Sequence, residues 1–175
     1  AVILNGGIIA SIIGPTGPEH RRLANQVMDE ALKKAGISFQ SITHIVSTGY
    51  GRINVPFADK QFTEITCHAK GVASLFPEAK TIIDIGGQDV KGIKIDGKGK
   101  IIDFAMNDKC AAGTGRFIEV IADALGVPLD QVGRLSLQSQ NPAKISNICT
   151  IWAQQEVAAS LAEGVPIFDL LAGVH

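Results

Sequence analysis

Three cysteines stand far apart in this chain, at Cys67, Cys110 and Cys149, with no CxxC spacing among them. Two of them lie just ahead of segments that read as helices: Cys110-Ala111-Ala112-Gly113-Thr114-Gly115-Arg116 opens a helical pattern over 114–125, and Cys149-Thr150 opens another over 150–163. A helix N-terminus carries partial positive charge, so it favours thiolate over thiol and favours an anionic cluster bound there. Two cysteines cannot complete a four-thiolate site, but a two-fold dimer presenting Cys110 and Cys149 from each copy would, which makes a shared [4Fe–4S] cluster one reading. The other is a pair of ordinary packed cysteines, because free cysteine is among the most buried residue types. Neither has a histidine at ligand spacing, which disfavours zinc. Cys67-His68 falls mid-helix without a second ligand nearby and reads as packing.

Asp84-Ile85-Gly86-Gly87-Gln88-Asp89 lies between two strand patterns. Paired glycines let backbone N–H groups approach an anion with no Cβ in the way, so a nucleotide phosphate would fit there. Asp84, at the strand's end, would then hold Mg²⁺ through water, since Mg²⁺ uses few carboxylates and keeps much of its hydration. Glycines that only make a tight turn are the competing reading. Arg52, in the Gly49-Tyr50-Gly51-Arg52 loop, could contact a phosphate or a neighbouring acid, although a loop arginine is usually just solvated. Trp152 and Gln154-Gln155-Glu156 are expected to give their helix one apolar and one polar face.

The elements that must position these residues follow from periodicity and turn chemistry. Val2-Ile3-Leu4, Asn5-Gly6-Gly7 and the apolar run from Ile8 read as strand, tight turn, strand. Over 19–35, Leu23, Val27, Ala31 and Leu32 recur at helical spacing, with Gly36 where a left-handed cap belongs. A short β-rich run covers 42–47, and 61–75 reads as helix closed by Pro77. A second cycle begins with a strand at 81–84, then the glycine loop, then a hairpin over 90–104 turning at Asp96-Gly97-Lys98-Gly99. Gly92-Ile93-Lys94-Ile95-Asp96-Gly97 matches Ala1-Val2-Ile3-Leu4-Asn5-Gly6, which points to a duplicated lobe. Helices are expected near 114–125, 150–163 and 166–174, with breaks at Pro128 and Asn141-Pro142.

Composition narrows the function classes. With 46% hydrophobic residues among 175, the chain can bury a core, and its net charge of −1 provides no broad basic field for nucleic acid or anionic lipid. No apolar run approaches the ~18 residues that span a bilayer, and reduced thiols suit the cytoplasm. No nucleic-acid or membrane partner is expected.

Several stretches resemble a known family, the activator components of 2-hydroxyacyl-CoA dehydratases, related to the ATPase subunits of benzoyl-CoA reductases. The likeness is carried by Ser47-Thr48-Gly49-Tyr50-Gly51-Arg52, Thr63-Glu64-Ile65-Thr66-Cys67-His68-Ala69, the loop ending at Asp89, Asn107-Asp108-Lys109-Cys110-Ala111-Ala112-Gly113-Thr114-Gly115-Arg116-Phe117, and Ile145-Ser146-Asn147-Ile148-Cys149-Thr150. The cysteine-bearing pair is its specific part. The resemblance implies an α/β fold of duplicated ribonuclease-H-like lobes from the actin/Hsp70/sugar-kinase superfold, with 1–78 the remainder of a first lobe and 79–175 the second. It also implies a homodimer sharing one [4Fe–4S] cluster through Cys110 and Cys149, with ATP or ADP and Mg²⁺ in the cleft between lobes. Asp84 and Gln88 would be catalytic, and Gly86, Gly87, Asp89, Gly113, Thr114 and Gly115 would line the nucleotide. ATP turnover would drive one-electron transfer, from a donor such as ferredoxin or flavodoxin, to a partner dehydratase or acyl-CoA reductase. The family's first phosphate loop would precede Ala1 and its adenosine segment would follow His175, so these residues read as truncated at both ends. The rival readings are a sugar or acyl kinase of the same superfold with packed cysteines, and a non-catalytic nucleotide-binding module; fold alone does not separate them.

Overall fold

A computed structural model describes residues 1–175 and divides them into two units, Ala1–Gly71 and Val72–His175. The division falls inside a helix, whereas the sequence placed it near 78.

In the first unit, strands β1 (Val2–Leu4) and β2 (Gly7–Ala10) pair antiparallel around Asn5 and Gly6, both left-handed at φ 50° and 80°. That conformation matches the twist of a two-residue hairpin and is why Asn-Gly occupies it. Helix α1 (His20–Ala35) packs on the hairpin through Ala31, which is buried with Val2 and Ala10. It ends at Gly36, φ 68°, where the Ile37 N–H reaches back 3.2 Å to the Leu32 carbonyl. The β-rich run shrinks to β3 (Val46–Ser47), parallel to β4 (Lys60–Gln61), because the Asp59 carboxylate takes the Ile45 N–H at 2.6 Å and ends the ladder there. Helix α2 (Glu64–Leu75) follows and carries the chain into the second unit.

The second unit holds a sheet of order β5-β6-β7, formed by Thr81–Ile85, Val90–Ile95 and Ile101–Asn107, antiparallel throughout. Its alternation buries Ile82, Ile93 and Ile95 and turns Ile83 and Ile85 outward. The β6-β7 turn is longer than its counterpart at Asn5-Gly6, and the Asp96 carboxylate accepts the N–H groups of Lys98 and Lys100, each at 2.8 Å.

Four helices complete the unit: α3 (Gly115–Ala124), α4 (Leu129–Ser136), α5 (Thr150–Ala162) and α6 (Ile167–Val174). Phe117, Ile121, Val132, Val157, Leu170 and Leu171 form their common core, each worth on the order of 1.5–3 kcal/mol when removed from water. The sequence reading has no α4, because it took Pro128 only as a break. Its φ of −57° is preset for a helix start, and Pro166 stands likewise before α6. Trp152 is also misjudged: it is 58% exposed, and α5 buries the small residues Ala153 and Val157.

The 139–145 segment is fastened to α6. Ala143 donates its N–H to the Asp169 carbonyl at 2.9 Å, and the Ser139 hydroxyl donates to the Asp169 carboxylate at 2.6 Å. A Cβ on Gly173 would run into the Ala143 carbonyl, so only glycine allows this approach, which aims the following residues at Cys149.

Candidate functional site

Asp84 lies near the carboxyl end of β5, directly across from Lys91 on β6. Facing residues on neighbouring strands share a side of the sheet, so this register brings carboxylate and ammonium together. Lys91 is 2% exposed, with its Nζ 2.6 Å from Asp89 Oδ2 and 3.4 Å from Asp84 Oδ2. Burial pulls its pKa down, but the hydrogen bond and charge of Asp89, joined by those of Asp84, outweigh burial and raise it above the ordinary 10.5.

The glycine turn closes over this group. Gly86 donates its N–H to the Asp89 carbonyl at 2.8 Å, and a Cβ on Gly86 would stand 2.6 Å from Asp89 Oδ1. Only glycine leaves room for that carboxylate beneath the turn. Gly87 differs, being exposed, with no atom within 4 Å of a Cβ there, and Gln88 beside it is exposed too. The turn therefore opens outward at 87–88 and is filled at 86 and 89. Asp89, expected around the phosphates, is 7% exposed and committed to Lys91.

The start of α3 docks on the same turn. Gly115 donates its N–H to the Gly86 carbonyl at 2.9 Å and Arg116 donates to the Gly87 carbonyl at 2.8 Å. A Cβ on Gly115 would lie 3.3 Å from Gly87 Cα. The leading N–H groups of a helix are commonly free for an anion; here two of them hold the turn instead. Gly113 is left-handed at φ 78°, and Thr114 is fully buried with its hydroxyl donating to the Ala111 carbonyl at 2.5 Å.

Cys149 caps α5 in an extended conformation, as the sequence implies. Cys110 does not sit in the first turn of α3; the 111–114 turn intervenes. Asn107 imposes this, because its Oδ1 accepts the Lys109 and Cys110 N–H groups at 3.3 and 3.2 Å while its Nδ2 donates to the Cys110 carbonyl at 3.0 Å. The fold still brings the two cysteine segments together. Cys110 Sγ lies 3.7 Å from the Ile148 carbonyl, next to Cys149, and accepts the Ala112 N–H at 3.4 Å. Both thiols are half-buried. No group of three or more His, Cys, Asp or Glu side chains gathers to hold a metal, so one chain offers these two thiols and no third such ligand beside them.

Lys91 escaped the sequence reading, as did the roles of Asn107 and Glu156, which it named only within longer stretches. Lys91 was readable in principle from strand register, and Asn107 from the habit of Asx side chains of binding backbone just ahead of them. Glu156, whose carboxylate accepts the Ser146 N–H at 2.7 Å and so steadies the approach to Cys149, had no local signal. In the first unit Arg52 meets the neighbouring acid, its Nη1 donating to the Gly49 carbonyl at 2.8 Å and lying 3.5 Å from Glu64 Oε2.

The architecture is shared with solved structures. The activator of the 2-hydroxyisocaproyl-CoA dehydratase from Clostridium difficile with bound ADPNP matches with a TM-score of 0.78 and 46% identity, over 93% of this chain and 58% of that one. Component A of the Acidaminococcus fermentans (R)-2-hydroxyglutaryl-CoA dehydratase matches with a TM-score of 0.79 and 41% identity, over 86% and 58%. The chain thus has the actin-like ATPase fold. It belongs to the BadF/BadG/BcrA/BcrD ATPase family, which matches residues 10–175. Among curated relatives, the 2-hydroxyisocaproyl-CoA dehydratase activator of Clostridioides difficile is 46% identical over 95% of this chain and 60% of its own length. The chain therefore spans about three fifths of that relative. No helix is long and apolar enough to cross a membrane.

Proposed function

We propose that the protein is an ATP-dependent activator that delivers single electrons to a 2-hydroxyacyl-CoA dehydratase or a related acyl-CoA reductase, working as a cytoplasmic homodimer. The observation that carries this reading is the approach of Cys110 Sγ to the Ile148 carbonyl, which brings together two cysteine-bearing segments whose thiols are thirty-nine positions apart in sequence.

The residues fit the two groups the family implies. Cys110 and Cys149 are half-buried on adjoining segments, and two copies would supply the four thiolates that a [4Fe–4S] cluster takes. Such a cluster, when bound, supplies the one-electron carrier, filled from a donor such as ferredoxin or flavodoxin. Cys149 stands at the N-cap of α5, and Cys110 Sγ accepts the Ala112 N–H at 3.4 Å.

At the turn, Gly87 and Gln88 are exposed, no atom lies within 4 Å of a Cβ on Gly87, and ATP or ADP phosphates would bind on that open side. Asp84, with 22% of its side chain exposed, would orient Mg²⁺ through water, Gln88 would hold the attacking water, and Gly86, Gly113, Thr114 and Gly115 would line the nucleotide. Asp89 supports the turn from beneath. A kinase with packed cysteines accounts for none of the thiol placement.

The test is anaerobic purification of the full-length protein with iron, sulfide and ATP hydrolysis measured together. Four irons per dimer and hydrolysis lost in Asp84→Ala support the reading. A colourless protein, or hydrolysis unchanged in Asp84→Ala, overturns it.

A further inference from the structure

We infer that Lys91 is a built-in counter-cation of the nucleotide site: its buried ammonium, bridging Asp84 and Asp89, keeps the two carboxylates from capturing a divalent cation before nucleotide arrives. The inference rests on the assignment of Asp84 to metal and phosphate binding, and goes beyond it by giving Lys91 a positioning role.

The geometry is specific. Lys91 Nζ stands 2.6 Å from Asp89 Oδ2 and 3.4 Å from Asp84 Oδ2, with 3% of its side chain exposed. It faces Asp84 through strand register, so the contact does not depend on a flexible loop. Asp89 is locked as well, because the Gly86 N–H holds its carbonyl and its Oδ1 fills the space a Gly86 Cβ would need. Two carboxylates and one ammonium leave the group at a net −1.

Without the ammonium, two carboxylates would share one partly buried pocket, and such a pair is an oxygen-ligand site for a hard divalent cation. It would also repel a polyphosphate at the neighbouring Gly87. With the ammonium in place, Asp84 has one oxygen held on Lys91 and offers a divalent cation only the moderate pull of a partly neutralised carboxylate. That arrangement favours a cation arriving on the nucleotide with its water shell, held at second hand by Asp84.

The test is Mn²⁺ binding by paramagnetic resonance to the full-length protein, without and with an unhydrolysable ATP analogue, with melting followed in parallel. Lys91→Met is expected to tighten nucleotide-free Mn²⁺ binding about tenfold or more and to weaken analogue binding by a similar factor, while Lys91→Arg stays near the parent. Asp89→Asn, which removes one carboxylate and keeps the ammonium, should show no such gain in nucleotide-free Mn²⁺ affinity. A structural role alone would shift both variants in one direction along with their melting. If Lys91→Met fails to fold, Lys91→Gln is read in its place: unchanged nucleotide-free Mn²⁺ affinity overturns the inference. If Lys91→Met folds and binds Mn²⁺ and analogue as the parent does, the inference fails while the parent assignment survives. Analogue binding that is indifferent to Asp84→Ala sinks that assignment itself.

Discussion

The glycine turn and the cysteine pair lie in the same unit and are built in opposite ways. At the turn, polar groups within one chain answer one another: Lys91 meets Asp84 and Asp89, Gly86 meets the Asp89 carbonyl, and the Gly86 and Gly87 carbonyls are taken by α3. At the cysteines, both sulfurs are half-buried, and that of Cys110 rests on backbone contacts alone, at 3.4 Å to the Ala112 N–H and 3.7 Å to the carbonyl of Ile148, which is 73% exposed. A site closed within one chain tolerates loss of its ligand. On the proposed dimer, a half-site that takes ligands from a second copy would not, and a single substitution there would act on two positions of the assembled site.

The largest effect expected from that contrast is at the thiols. If the proposed shared cluster is right, Cys110→Ala or Cys149→Ala in the full-length protein removes two of its four ligands per dimer and should abolish bound iron and sulfide and the visible absorbance, with nucleotide binding retained. Full iron content in Cys110→Ala would undo the comparison. Next is Gly86→Ala, which forces a Cβ against the Asp89 carboxylate. Its expected cost is about 1–3 kcal/mol from overpacking, read as a lowered denaturant midpoint together with lost nucleotide affinity. Gly87→Val sharpens the contrast within the turn, since no atom lies within 4 Å of a Cβ there. It should keep the melting temperature near that of the parent and still lower nucleotide affinity; a large loss of stability would mean the turn is filled on both sides.

Smaller still is Arg52→Ala. It removes the bond to the Gly49 carbonyl and takes the Arg52 guanidinium away from Glu64 Oε2, which is already without a hydrogen bond. About 1–2 kcal/mol of stability should be lost, with no change in iron content. The smallest effect is expected for Cys67→Ala, which should leave iron, absorbance and hydrolysis as they are and so serves as the control for the other two thiols.

The sequence by itself determined the local features of this protein: the Asn5-Gly6 hairpin, the Gly36 cap, the β5-turn-β6 arrangement and the two segments bearing Cys110 and Cys149. Each rests on a conformational preference that acts over a few residues, such as a positive φ or a period of two or 3.6. Pro128 shows the limit of that reading, because the same ring that ends one helix starts another, and the surrounding chain decides which. Only the tertiary structure decided that Lys91 would be buried between Asp84 and Asp89, that Asp89 would face inward, that Asn107 would hold Cys110 back from α3, and that Ile148 would meet the Cys110 sulfur. Those outcomes depend on strand register and on the docking of α3 against the glycine turn. Both are long-range arrangements, fixed when the sheet and the helix bundle bury their apolar faces together, and no local preference in the chain encodes them.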